Sequence, residues 1–368
     1  MNLLILMNPA EHRDYTKIID TIDALGHNLI GFVRMDGVNN FSVVGEYILF
    51  PFAHIRLLKY DLILLDRYVD NADDWHSNVI KAGIPQSRVR TIYWLLQHKM
   101  LKKYEDSHDD VIQETLEYWR THELSIFNQH TEFYEHTLDE MCMDNNCGLP
   151  YIMFKTVEGK ERRMYYPQDG GLQAPDGKYY VKDILREQVP TSPHLYIKDN
   201  HKINDGDILI DAGVCEGNFA LRYIDVCSKV YLCEMDTKWF APLYFTFRDC
   251  WDKVELITKP VGNKTQNGMI ALDDVINVPA GSNIFLKMDI EGAEVDALHG
   301  AQRISQNYNL KASVCSYHKK DDLWQIKSVF QKYGYETSAS EGYMIFLDGK
   351  NIWDSADFRK GIVYANNY

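Results

Sequence analysis

No apolar run in this chain of 368 residues approaches the roughly 18 residues of a bilayer-spanning helix. Basic charge is in deficit as well: 39 Lys and Arg stand against 53 Asp and Glu, a formal net charge of −14. Phosphate contacts need a cationic surface, so nucleic acid is not the expected partner. The start, MNLLILMNPAEHRD, lacks the basic region and long apolar stretch of a secretory signal. It reads as a first strand, and the expected compartment is the cytoplasm. Clustered cysteines are missing too. The seven cysteines are scattered, and only Cys142 and Cys147 lie close together, with no second pair or histidine cluster to complete a zinc site. Buried free thiols are expected, and no metal is assigned.

A dinucleotide fingerprint is also absent, although a glycine loop is present. DILIDAGVCEGNF (207–219) is an apolar strand ending in Asp211, followed by glycines at 213 and 217 and an amphipathic run. The next strand, KVYLCEMD, delivers Glu234 about 20 positions later, where a carboxylate can hold two ribose hydroxyls. The loop lacks the G-x-G-x-x-G spacing, and Glu216 stands where a pyrophosphate would sit. S-adenosyl-L-methionine has no phosphate and carries a cationic sulfonium and ammonium, so Asp211 and Glu216 favour it over NAD. A solvated strand-end carboxylate is the bland alternative.

Hydrophobic content of 45% and charged content of 25% are those of an ordinary globular chain, long enough for two domains. Residues 1–105 alternate strand (LLILM, NLIGFVRMD, YDLILLDRY) and helix (12–25, 71–82), which predicts a small Rossmann-like parallel sheet. Its first strand runs into Asn8-Pro9 without a glycine loop, so a structural or docking role is expected. Residues 106–165 are assigned to connecting helices and a linker, and PQDGGLQAPDGKYY (167–180) to an entrance loop. Residues 166–368 carry the chemistry. Strands DILIDAG, KVYLCEMD, VELITKPV, NIFLKMDI, LKASVCSYH and YMIFLDG alternate with helices at 237–250, 293–305 and 321–333, predicting a doubly wound α/β sheet. Asp211, Glu234, Asp289 and His318 all fall at strand C-terminal ends, where ligands bind in such sheets.

Lys287-Met-Asp-Ile-Glu-Gly-Ala-Glu294 ends a strand in charge and then turns through glycine into a helix. Capping and the helix dipole account for Glu294, but not for three charges at 287, 289 and 291. Asp273, Asp274, Asp289 and Glu291 are carboxylates that could take Mg²⁺, although strand-end carboxylates are commoner without metal. Tyr165, Tyr166, Tyr179, Tyr180 and Tyr196 suit either a sugar-facing surface or a packing interface. His98 and His299 are expected at the surface.

From about residue 166 onward the chain resembles the FkbM-type S-adenosylmethionine-dependent methyltransferases, through DAGVCEGNF, LDDVI, FLKMDIEGAEVDALHGA and SVCSYHKKDDLW in that order. LREQVPTSPHLY also resembles a segment of members with an added N-terminal domain. Such loops often read D-x-G-A-N-x-G, whereas this one has Val214-Cys215-Glu216. The resemblance implies a class I methyltransferase fold with one antiparallel strand near the C-terminus. It also implies methylation of a hydroxyl, expected here on a nucleotide-linked sugar used for a surface polysaccharide such as a capsule. Another small molecule (N-methylation, or polyketide or lipid tailoring) and a non-catalytic cofactor-binding scaffold are the alternatives. A hydroxyl must lose its proton as it attacks, so His318 is the expected base, with Asp289 and Lys287 beside it as catalytic residues. Cofactor contacts are expected from Asp211, Gly213, Glu216, Gly217, Asn218, Glu234, Met235 and Asp289. Acceptor contacts are expected from His194, Tyr196 and Glu291, with His194 a weaker candidate for the base. A homodimer through the N-terminal domain or connecting helices is the expected assembly.

Overall fold

The computed structural model describes residues 1–10, 14–65, 72–122, 124, 141–168, 185–347 and 352–368. Two compact units are present: residues 1–126 with 347–357, and residues 127–346 with 358–368. Tyr179, Tyr180, most of the 167–180 loop and the start of the first predicted helix lie outside the described residues. Among the described residues no helix is long and apolar enough to cross a membrane.

The first unit holds β1 (Asn2–Met7), β2 (Asn28–Arg34), β3 (Ser42–Val44), β4 (Tyr47–Pro51), β5 (Leu62–Leu65) and β6 (Val89–Thr91) in one sheet of order β3-β4-β2-β1-β5-β6. Every pairing is parallel except that of the edge strand β3. Helices α1 (Thr16–Ala24) and α2 (Ala72–Lys81) connect parallel strands, and α3 (Tyr93–Lys103) and α4 (Asp110–Trp119) follow. The apolar run of β1 is buried along its length, as a central strand covered on both faces must be.

The second unit begins with a three-stranded antiparallel sheet: β7 (Cys142–Asp144), β8 (Leu149–Lys155) and β9 (Glu161–Tyr165). Residues 142–165 are therefore strands, not connecting helices. Ile152, Phe154 and Met164, at alternate positions, are buried against the main sheet, so the segment follows a two-residue period under its polar composition.

The main sheet contains β10 (Ile208–Ala212), β11 (Lys229–Cys233), β12 (Val254–Ile257), β13 (Asn283–Met288), β14 (Asn309–Cys315) and β15 (Glu336–Ala339). β16 (Met344–Phe346) and β17 (Asp357–Arg359) form a separate pair, and β18 (Ile362–Asn366) returns to the main sheet, whose order is β12-β11-β10-β13-β14-β18-β15. β18 runs antiparallel to both neighbours; the rest are parallel. Met344–Phe346 thus lies outside the seven-stranded sheet, and the place expected for YMIFLDG is taken by the C-terminal IVYAN. Ile208, Ile210 and Ala212 face one core with Leu286, Ala312 and Phe330, whereas Leu209 faces the other with Phe285, Val230 and Phe219. Each such Leu, Ile or Phe contributes about 1.5–3 kcal/mol on burial. Helices α5 (Asn218–Tyr223), α6 (Phe240–Phe247), α7 (Leu272–Val275), α8 (Glu294–His299), α9 (Gln302–Asn307) and α10 (Asp322–Gln331) fill the connections.

Candidate active site

The loop after β10 is locked to the turn after β13. Gly213 has φ +79°, and a Cβ built there would lie 1.6 Å from the carbonyl oxygen of Asp289. Only glycine lets the two backbones approach so closely. The Asp289 N–H donates to the Ala212 carbonyl at 2.9 Å, and the Gly213 N–H to that of Cys233. Asp211 and Lys287 are register partners on adjacent strands, with Nζ 3.0 Å from Oδ1. Both are buried, and Nζ also donates to the Gly213 carbonyl. Burial opposes charge on each of them. Asp211 and Asp289 nonetheless hold the Lys287 ammonium above its ordinary pKa, while burial leaves Asp211 raised despite its partner. Asp211 was expected to touch cofactor and Lys287 to take part in catalysis. In the structure the two form a buried ion pair under the loop.

Glu216 is buried as well, and burial pushes its carboxyl up to about 8. It is therefore largely protonated at neutral pH. The anionic charges expected at 211 and 216 are thus both cancelled, one by Lys287 and one by a proton. Neither charge therefore repels a phosphate, and only the loop spacing disfavours one. Gly217, at φ +83°, precedes α5, and a Cβ there would press on Phe247 and Leu243. Asn218 opens α5 and is half-buried. Glu234 accepts the Cys215 N–H at 2.9 Å and the Asp236 N–H at 2.7 Å, one on each oxygen. Those bonds fix a carboxylate that keeps further lone pairs. Cys215 adopts φ +50° to reach it. Met235 follows with its side chain exposed.

Asp289 is the hub of a second cluster. Tyr196 donates its hydroxyl to Oδ2 at 2.9 Å, Tyr317 donates to Oδ1 at 3.4 Å, and two imidazole nitrogens stand close, His194 Nε2 at 3.4 Å and His318 Nε2 at 3.5 Å. Burial works against its charge, but His194, Lys287 and His318 hold its carboxyl far below the usual range. Burial and the Asp289 charge push both phenols well above their ordinary value, so they remain neutral donors. His194 is buried, with Nε2 3.4 Å from Cys315 Sγ and Nδ1 3.6 Å from Glu187.

The turn IEGA shapes the remaining part. Glu291 and Gly292 both take left-handed φ, +56° and +90°. Glu294, the first residue of α8, reaches back so that Oε1 accepts the N–H groups of Ile290 (3.0 Å) and Gly292 (3.2 Å). The same oxygen lies 3.0 Å from His318 Nδ1, and Glu291 Oε2 lies 3.6 Å from Nε2. Burial lowers an imidazole pKa, yet Glu294, Asp289 and Glu291 together hold that of His318 above its ordinary value.

Asp289, His318, His194, Tyr196 and Glu291 are therefore brought together, and Glu216 and Glu234 belong to the neighbouring loop. Sequence reasoning missed Tyr317 and gave Glu294 only a capping role. The Glu-Gly pair before Glu294 was the signal for a turn that folds this side chain back. Asp273 accepts the N–H groups of Arg303 and Ile304, and Asp274 the hydroxyl of Thr265; both cap local structure. Tyr165 donates to Asp144, and Tyr166 is buried in the core, so these two pack instead of facing an acceptor. His299 is exposed, while His98 is half-buried beside Trp94. Among the thiols, Cys142 and Cys215 are exposed and Cys147 is half-buried, against expectation; the other four are buried.

No family model matches the chain, and no curated protein matches it. Solved structures do. Over 99% of its length, and 89% of the other chain, this protein is similar to methyltransferase FkbM from Methylobacillus flagellatus, at 14% identity and a TM-score of 0.41. Over 45% of its length it is similar to a precorrin-6y C5,15-methyltransferase from Geobacter metallireducens, covering 84% of that chain at 14% identity and a TM-score of 0.30. It is likewise similar to an rRNA methylase from Streptococcus thermophilus, with 45% and 89% of the two chains covered, 18% identity and a TM-score of 0.28. The fold assignment rests on this chain's own strand order and its single reversed strand, β18. The second unit has the class I methyltransferase fold.

Proposed function

We propose that the second unit is an S-adenosylmethionine-dependent O-methyltransferase acting on a sugar hydroxyl, of a nucleotide-linked precursor for a surface polysaccharide. One observation carries the reading: an imidazole, His318, stands with Nε2 beside the Asp289 carboxylate at the C-terminal edge of a class I sheet. The residues present fit the cofactor. The glycine loop leads into α5 without the G-x-G-x-x-G spacing of a pyrophosphate site, and Glu234 is fixed by two backbone donors with lone pairs to spare. Glu234 would hold the ribose hydroxyls, and Met235, Gly217 and Asn218 would line the nucleoside and methionine moieties. When bound, the cofactor supplies a methyl group already activated by its sulfonium.

The chain's own residues then have to orient the acceptor and take one proton. Asp289, held far below the carboxylate range, is a weak base. His318 is the stronger one, so the hydroxyl proton goes to Nε2. Tyr196 and Tyr317 donate to Asp289 and fix its plane. His194 stands against the opposite oxygen of Asp289, Oδ2, and would orient the acceptor from that side. Alignment of hydroxyl and methyl supplies most of the rate, and the base supplies ~10²–10⁴ of it.

Mass spectrometry of reactions with S-adenosylmethionine and a panel of nucleotide sugars, with free sugars as controls, tests this. One product heavier by a methyl group is expected. Methylation confined to a non-sugar acceptor would move the substrate class and keep the enzyme.

A further inference from the structure

Building on that reading of the site, we propose that Glu294 is the positioning residue of the base: it holds the His318 ring by Nδ1 and leaves Nε2 for the acceptor hydroxyl. Glu294 is fully buried, and its Oε1 is anchored by the N–H groups of Ile290 and Gly292. That oxygen is 3.0 Å from His318 Nδ1, against 3.5 Å from Nε2 to Asp289 and 3.6 Å to Glu291. The 3.0 Å contact is within charge-assisted hydrogen-bond range, although the ring N–H does not yet aim squarely at the oxygen. Asp289 is shared among His194, Tyr196 and Tyr317, so it cannot follow one imidazole. Glu294 has no other side-chain partner among the described contacts, and its Oε2 is unpaired.

The backbone around the ring is fixed from three sides. Arg359 donates to the carbonyls of Tyr317 and His318, Lys319 Nζ donates to the Gly292 carbonyl, and the Lys319 N–H donates to Asp322. The groups facing His318 are thus Asp289, Glu291 and Glu294 from the β13–α8 turn, Tyr317 and Lys319 from its own segment, Asp322 from α10, and Arg359 from β17. Of these, Glu294 alone touches Nδ1. A carboxylate there selects the Nδ1–H tautomer and stabilises the imidazolium formed when Nε2 takes a proton.

Glu294→Gln tests the assignment, because its carbonyl oxygen can still accept from Ile290 and Gly292 while its charge is gone. The first readout is the His318 titration, followed by NMR of histidine-labelled protein and assigned with His318→Asn. It needs no acceptor, so it stands whether or not methyl transfer is found. Glu294→Gln is expected to lower the His318 pKa by about one unit or more. The pH–rate profile then moves to lower pH, and the high-pH plateau falls roughly tenfold, with adenosylhomocysteine affinity unchanged. Glu291→Gln, which removes an exposed carboxylate, should move the titration less. An unmoved titration in Glu294→Gln overturns the proposal. So does turnover that EDTA abolishes and Mn²⁺ restores, since the cluster would then serve a cation.

Discussion

Both units wind five parallel strands in one order, β4-β2-β1-β5-β6 in the first and β12-β11-β10-β13-β14 in the second, with the earliest strand in the middle of each. Their strand ends differ. β1 runs into Asn8 and Pro9, where the Asn8 side chain accepts the N–H of Ala10 and closes a local turn. β10 runs into Gly213, whose bare backbone lets the Asp289 turn approach. At the end of the second strand of each order, Arg34 of β2 is committed to Asp36 and Asn40, whereas Glu234 after β11, among the described residues, accepts from two backbone donors and keeps lone pairs for a ligand. Winding places a crevice at the C-terminal edge; the residues put there decide whether anything can happen in it.

The sharpest way to break this contrast is at the base. His318→Ala is expected to cut turnover by ~10²–10⁴ with cofactor affinity nearly unchanged, while Arg34→Ala leaves both within about twofold. Equal losses from the two changes would erase the distinction between the units.

Next in size is the ion pair beneath the loop. Lys287→Met leaves the Asp211 carboxylate buried and unpaired, which should destabilise the protein by about 3–5 kcal/mol in urea unfolding. A loss under 1 kcal/mol would mean the pair does not hold the loop.

A pH-dependent effect probes the electrostatics of the glycine loop. The Glu216 carboxyl is raised from 4.5 to about 8, so between those values the unfolded chain has lost a proton that the folded chain keeps. Folding stability attributable to this group falls as pH rises through that window, by up to about 1.4 kcal/mol per unit. Glu216→Gln should remove the slope and raise Tm more at pH 8 than at pH 5. A variant with the wild-type slope would show that Glu216 is ionised throughout.

The sheet of the second unit was legible because β10, β11, β13 and β14 are near-continuous apolar runs ending in charge. β15 was not: ETSA is a half-exposed edge strand with no apolar signature. The β7–β9 sheet was hidden by its charges: Lys155, Glu161 and Arg163 are exposed on strands that bury Ile152, Phe154 and Met164. In the site, Asp289 and His318 announced themselves by position at strand ends. Asp211 and Lys287 occupied equally telling positions, but that they pair with each other was not legible, because cross-strand register is not written in either segment alone. Glu294 was read as a cap, and it is one; that it also meets His318 depends on two left-handed residues folding the turn back.

The glycine loop and Glu234 are proposed to hold a nucleoside methyl donor. Calorimetric titration with adenosylhomocysteine tests it before any acceptor is known. One site per chain is expected in the wild-type protein, with a loss of at least tenfold in affinity, ~1.4 kcal/mol, in Glu234→Ala. No heat of binding in the wild-type protein, or equal affinity in the variant, would contradict it.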